Sequence, residues 1–402
     1  MEATSQTARH PAQAGPGLPL NLEDRLLRRR ALVLPAVVYL GVRALGVVVL
    51  TVFAALHDTS LAARITAWDG QWYLEIADRG YELGPITDAF GHPNPFTPRA
   101  FFPLYPFLVR LVSPALGPEG AAVVISLAAG LVAAYGLARL GRIVRGGSRR
   151  AGYILVALFA ATPMSVVLSM AYTEALFCAL AAWALAGVLE RRWELAGVCC
   201  ALAGLARSSA LALIVAVAVA AVPALVRRED GGRPWVALAL APSGLLGYLW
   251  WTGTRVRPAS GFEAQLSTWS DLEWEGWRTR FDGGVATLRF VVGTVTSDDS
   301  AMSVLTVAVI IGALAGLAVL VRQRREGVLA AYAAGIVVMA LGSTALMHAK
   351  PRLLLPAFTL LVPVAIALAK RRTHTVWWVC AGVSVASAWF GAFALTVWKY
   401  AI

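Results

Sequence analysis

The feature that most restricts this chain is a series of apolar stretches, each long enough to cross a bilayer and most of them ended by basic residues. They fall at 31–55, 119–140, 151–170, 173–189, 235–252, 301–321, 328–347, 353–369 and 375–397. A spanning helix needs about 20 apolar residues, and in hydrocarbon a chain must satisfy its own backbone. A further stretch, 195–226, is too long for one straight span and is interrupted by Arg207, Ser208 and Ser209. It reads as two short segments around a polar kink. The count is eleven crossings, with the termini on opposite sides. Only 14% of residues are charged and 58% are hydrophobic, against roughly a quarter charged in soluble domains. The expected fold class is therefore an all-α polytopic membrane protein. Residues 31–402 are expected to form a single membrane domain, and 1–30 a polar, disordered cytoplasmic tail. No clear small-residue cleavage site follows the basic cluster Arg25–Arg30, so the first span is expected to stay as an anchor.

The net charge of +12 invites a nucleic-acid reading, but the distribution of the charge argues against one. With the N-terminus placed in the cytoplasm, the inside segments 1–30, 141–150, 190–194, 226–234, 322–327 and 370–374 hold 20 Lys/Arg against 8 Asp/Glu. The outside segments hold 13 against 15. Every short inside loop is basic, which is the pattern that sets membrane topology. The four cysteines lie in apolar runs without metal-ligand spacing, so neither a metal nor another cofactor is expected.

Two long segments, 56–118 and 253–300, lie on the outer side, and function concentrates in long loops. In the first, Trp68, Trp72 and Ile76 recur every four residues, with Tyr73 and Ala77 beside them. On a helix they make one aromatic face suited to the headgroup zone. Asp69 opens that helix. A carboxylate there serves either as a general base for a sugar hydroxyl or as an N-cap, and both roles can coexist. The run Pro98–Phe107, which includes Tyr105, is aromatic and broken by prolines; it suits a re-entrant groove segment or an aromatic anchor. Tyr172 and Glu174 lie at the external end of two spans, where an acid is costly. Arg207 is a candidate partner for Glu174 or for a phosphate. His348, Lys350 and Arg352 place three cationic groups on the outer face against the inside-positive trend. They suit a phosphate headgroup or anionic lipid. Gln265 opens a Glu/Gln/Trp patch of the kind that holds sugars.

These motifs together resemble the PIG-V-type mannosyltransferases, the family of the second mannosyltransferase of GPI-anchor synthesis. The resemblance rests on Trp68-Asp69-Gly70-Gln71-Trp72-Tyr73, Ile76-Ala77-Asp78-Arg79-Gly80-Tyr81 and Phe101-Phe102-Pro103-Leu104-Tyr105-Pro106. Ser169–Phe177, Arg207-Ser208-Ser209, Phe262–Trp269 and Lys350–Pro356 then follow in family order. At the Arg207 turn the family pattern Arg-Ser-Asn-Gly is replaced at its last two positions by Ser209 and Ala210. The resemblance implies a GT-C-type fold and a polyprenyl-phosphate sugar as donor. It also implies an active site facing away from the cytoplasm, with Asp69 as base. The expected localisation is a multi-pass protein of the cell membrane. The Ala- and Arg-rich composition looks bacterial, and bacteria generally lack GPI anchors. The implied acceptor is therefore another glycolipid, glycan or protein. Two other readings stay open: a lipid transporter, which would carry charge near the middle of several spans, and a non-catalytic glycolipid-binding subunit.

Overall fold

The computed structural model describes residues 22–83, 86–87, 91–297, 300–323 and 326–398. Most of the expected cytoplasmic tail, up to residue 21, lies outside the described residues. The fold is 78% helical, with no strand among the described residues. The first part of the chain forms α1 (Leu22–Leu56), α2 (Leu61–Ile65), α3 (Asp69–Arg79), α4 (Leu104–Ile143), α5 (Arg149–Ala160) and α6 (Glu174–Leu189). Next come α7 (Trp193–Gly204), α8 (Ala210–Val226), α9 (Arg233–Leu240), α10 (Ser243–Val256), α11 (Phe262–Trp277) and α12 (Val285–Thr296). The chain closes with α13 (Ala301–Arg322), α14 (Gly327–Leu341), α15 (Lys350–Leu354), α16 (Val362–Ala369) and α17 (Thr373–Thr396).

The protein is multi-pass. Among the described residues, 32–56 of α1 and the whole of α4, α13 and α17 are each long and apolar enough to cross a membrane alone. A pair bent by 68°, 347–354 with 358–369, makes a fifth. α6, α7, α8, α12 and α14 are shorter apolar helices. Several expected spans are thus broken rather than straight. The stretch 235–252 divides into α9 and α10 around Pro242, and 195–226 divides at 205–209 as the polar residues there suggest. The expected span 151–170 is helical only to Ala160.

That last break falls just before Pro163, which cannot continue a helix, and Arg43 satisfies the end it leaves. Helix α5 ends inside the bundle, where its final carbonyls need partners. The buried Arg43 guanidinium of α1 donates to Ala160 O (2.7 Å), to Ser165 Oγ (2.9 Å) and to the Ser165 carbonyl. The arginine so anchors the start of the stretch 161–173, which holds a 3-10 turn (Ser165–Ser169) and carries Tyr172 and Thr173 toward Glu174. Close packing of α4, α5 and α6 relies on small residues, as lipid-embedded helices do. At Gly141, for example, a Cβ would lie 2.6 Å from Gly152 Cα across the α4–α5 contact.

The two ends of the bundle differ. At one end Arg139 pairs with Glu190 (2.7 Å), Arg191 with Glu229 (2.6 Å) and Arg233 with Glu194 (2.8 Å). At the other end the long segments converge. Ala171 N donates to Ile65 O (2.8 Å), Leu104 N to Leu205 O (2.9 Å) and Asp282 N to Gly342 O (2.8 Å). The run Pro98–Phe107 crosses this second end as a 3-10 turn (Thr97–Ala100) and the start of α4. Helix α4 then kinks at Gly117, whose φ of +71° only glycine adopts freely. Its first section exposes Phe107 and Leu111, an apolar face suited to the interfacial zone.

Candidate active site

Three breaks in helical structure meet at this second end, and each contributes a charge. Asp69 is the first residue of α3, Glu174 the first of α6, and Arg207 lies in the five-residue gap between α7 and α8. Arg352, from the one-turn helix α15, joins them. Its Nε donates to Glu174 Oε1 (2.8 Å) and its Nη2 to Asp69 Oδ2. Arg207 Nη1 donates to the same Glu174 Oε1 (2.7 Å) and to Thr173 Oγ1 (2.9 Å). The order is thus Asp69, Arg352, Glu174, Arg207, alternating in sign and formally neutral. Glu174 is fully buried, Arg352 and Arg207 nearly so, and Asp69 keeps a quarter of its side chain exposed. Charges this deep persist only when paired. The exposed end of the chain of charges is the carboxylate.

Asp69 does not serve as a cap. The N-cap position belongs to Trp68, and no side chain caps α3. Trp68 has φ 52° and ψ −116°, a strained conformation for a residue with a Cβ. Such conformations cost about 1–3 kcal/mol and persist only where neighbours hold them. The hold here comes from the 161–173 stretch. Ala171 N bonds Ile65 O, and the Tyr172 hydroxyl donates to Ala67 O at 3.1 Å. The Tyr172 ring also lies 4.8 Å from the Arg352 guanidinium carbon in a cation–π contact. Tyr172 therefore positions both Asp69 and Arg352.

Aromatic side chains wall the site. Trp72 stacks on Phe101 (5.6 Å) and meets Trp277 of α11 edge-on (6.3 Å). Tyr73 is buried between Phe101 and Tyr105, each 5.3 Å away, with its hydroxyl 3.4 Å from Thr173 Oγ1. Tyr105 is itself buried, bonded to Ala122 O (3.0 Å) and Ser126 Oγ (2.9 Å). Its place is in the packing beneath Tyr73.

Other sequence candidates lie apart from the four charges. The Lys350 ammonium donates to Ala340 O (2.7 Å) and to the Ser343 carbonyl and hydroxyl at the C-terminal end of α14. A cation there satisfies carbonyls that have no helical partner. His348 packs between Phe290 (5.3 Å) and Trp398 (4.2 Å). Gln265 is buried where α11 crosses α10, and Gly253 permits the crossing because a Cβ there would run into the Gln265 backbone.

One residue near the site escaped the sequence reading. Glu273 of α11 is half-buried, and the charges acting on it are Asp69, Arg207 and Arg352. Burial, with the Asp69 carboxylate, pushes its pKa up to about 8, against the pull of the two arginines. A signal existed: Trp269, Glu273 and Trp277 recur every four residues, which puts the acid between two aromatic rings on one helical face. Among the described residues, no group of three His, Cys, Asp or Glu side chains is placed to hold a metal.

In class, this is a GT-C-type fold. The solved structure of ArnT from Cupriavidus metallidurans, crystallised bound to undecaprenyl phosphate, is similar over 87% of this chain with TM-score 0.54 and 17% identity. The chain spans 63% of the length of that one. The particular family resemblance also holds: residues 45–224 match the model of the mannosyltransferase (PIG-V) family. That match takes in Asp69, Glu174 and Arg207, while Glu273 and Arg352 lie beyond it. No curated protein matches the chain.

Proposed function

We propose that this protein is a membrane glycosyltransferase that transfers mannose from polyprenyl-phosphate-mannose to an acceptor on the outer side of the cell membrane. The acceptor class is a glycolipid, a glycan or a protein. The observation that carries the reading is the bridge from Arg352 to Asp69 and Glu174 at one end of the bundle. It places an accessible carboxylate against guanidinium groups suited to phosphate. The match to a mannosyltransferase family and the undecaprenyl phosphate bound to ArnT support the donor class.

The chemistry follows from the residues. The acceptor hydroxyl oxygen attacks the anomeric carbon as the bond from that carbon to the phosphate oxygen breaks. Asp69 takes the hydroxyl proton. The electron pair leaves with polyprenyl phosphate, whose charge faces Arg352 and Arg207. Attack opposite the leaving group inverts the anomeric centre. Donor phosphate competes with Asp69 for Arg352 Nη2. Donor binding thus loosens the carboxylate from its cation and frees it for the acceptor hydroxyl.

A transporter would carry charge along the middle of the bundle. Here Arg43 is locked onto backbone carbonyls and Arg139 is paired with Glu190, so neither offers a path. The test is transfer of radiolabelled mannose from polyprenyl-phosphate-mannose by the purified protein, with a membrane extract as acceptor. Labelled product from wild type but not from Asp69→Asn is expected. Equal transfer by both would remove Asp69 from the base role, and no transfer by either would remove the donor assignment.

A further inference from the structure

Glu273 has no part in the mechanism above, and packing does not account for it. Helix α11 is docked through the tryptophans on either side of it. Trp269 Nε1 donates to Ala100 O (2.9 Å), and its ring meets Phe102 (5.5 Å). Trp277 meets Phe101 (5.3 Å) and Trp72. Glu273 lies between these contacts on the same face, one turn from each, where α11 meets Trp72 of α3 through Trp277. Among the described residues, its carboxylate takes no hydrogen bond and no ion pair.

The neighbouring cations on other faces are engaged elsewhere. Arg257 of α10 pairs with Asp271 (2.8 Å), and Arg99 of the 3-10 turn pairs with Glu82 (3.0 Å). Arg278 and Arg280 lie over the Trp274 ring. The charges that act on Glu273 are Asp69, Arg207 and Arg352. A carboxyl without a protein partner, beside the proposed base and flanked by aromatic rings, is equipment for a polar, disc-shaped ligand.

We propose that Glu273 is a specificity residue that hydrogen-bonds a ring hydroxyl of the donor sugar from the α11 side of the site; this rests on the glycosyltransferase reading above. The donor ring is favoured over the acceptor because Arg207 and Arg352, which act on Glu273, are the cations proposed to hold the donor phosphate. The sugar attached to that phosphate is the ring within reach. With its pKa near 8, Glu273 is mostly neutral at pH 7. It can then both donate and accept a hydrogen bond and adds no negative charge beside the phosphate. Above about pH 8 it ionises, loses its proton donor and repels the phosphate, so donor affinity falls.

The experiment measures binding of polyprenyl-phosphate-mannose and of sugar-free polyprenyl phosphate to the full-length protein in nanodiscs between about pH 6.5 and 9.5. At pH 7, where Glu273 is mostly neutral, Glu273→Ala is expected to weaken the mannosylated lipid about tenfold, the worth of one buried hydrogen bond, and to leave the bare lipid unchanged. Glu273→Gln mimics the neutral acid and is expected to bind the mannosylated lipid nearly as wild type does, without the decline above about pH 8. Equal loss for both lipids, loss for neither, or an alkaline decline that persists in Glu273→Gln would overturn the proposal. A wild type that binds neither lipid overturns the donor reading itself, and this one with it.

Discussion

Arg352 spans two carboxylates with two different nitrogens, Nε toward Glu174 and Nη2 toward Asp69. Lysine offers the same charge but a single nitrogen, and it cannot reproduce a fork of this width. Arg352→Lys should keep the site formally neutral and so keep the fold, while one of the two charge-assisted bonds is lost. Such a bond is worth about 1.5–3 kcal/mol. If the bond is needed to align Asp69 or to hold the leaving phosphate, the loss appears in the barrier. At about 1.4 kcal/mol per factor of ten, that is a fall of roughly 10- to 150-fold in kcat/KM. The flat contact with Tyr172 adds to the loss, because ammonium stacks less well than guanidinium. Steady-state transfer from a polyprenyl-phosphate sugar, beside a thermal unfolding curve of the same sample, reads both effects. A folded Arg352→Lys protein with more than half of wild-type activity would refute the argument that the fork matters.

Three further outcomes follow from the same contacts. Glu174→Gln leaves two buried guanidiniums with one carboxylate between them; thermal unfolding should show a loss of about 2–4 kcal/mol, roughly 2–5 °C for a chain of this size. Arg43→Ala strips the partners from Ala160 and Ser165 and should destabilise by about 3–5 kcal/mol; transfer per folded molecule should fall as well, because the stretch it anchors carries Tyr172. Gly253→Ala forces α10 and α11 apart at Gln265, a backbone clash with a typical cost of about 1–3 kcal/mol. It should lower transfer activity by displacing α11, and a variant with unchanged activity would show that α11 does not serve the site.

Much of this organisation was legible in the sequence because the membrane imposes a simple rule on where charge can go. The short basic loops and the long acidic and aromatic segments separate into two ends of the bundle. Glu174, Arg207 and Arg352 could be named because each is a charge that ends or interrupts an apolar run, and Asp69 because it opens the aromatic helix of the first long segment. What local sequence could not decide was which of two neighbouring cations serves the site. Lys350 and Arg352 are two residues apart, about 200° around a helix. One therefore reaches the carbonyls of α14 while the other reaches Asp69, and only the position of α14 settles which. The early end of α5 had a local signal in Pro163, but the partner of its open carbonyl did not, since the guanidinium bonded to Ala160 O lies 117 residues away. Glu273 was readable as one acid of an amphipathic external helix. Its proximity to Asp69 depends on the aromatic docking of Trp269 and Trp277, which sequence spacing does not contain.

The central claim is that Asp69 is the base of a site whose cations hold the donor phosphate. The most direct measurement is donor binding and single-turnover transfer on one preparation of Asp69→Asn in nanodiscs, beside wild type. The account predicts that the variant still binds polyprenyl-phosphate-mannose, with affinity equal to wild type or tighter because Arg352 no longer has an anionic competitor. It also predicts that transfer falls by at least about 100-fold, the usual weight of a general base. A variant that binds donor and transfers at the wild-type rate would contradict the account.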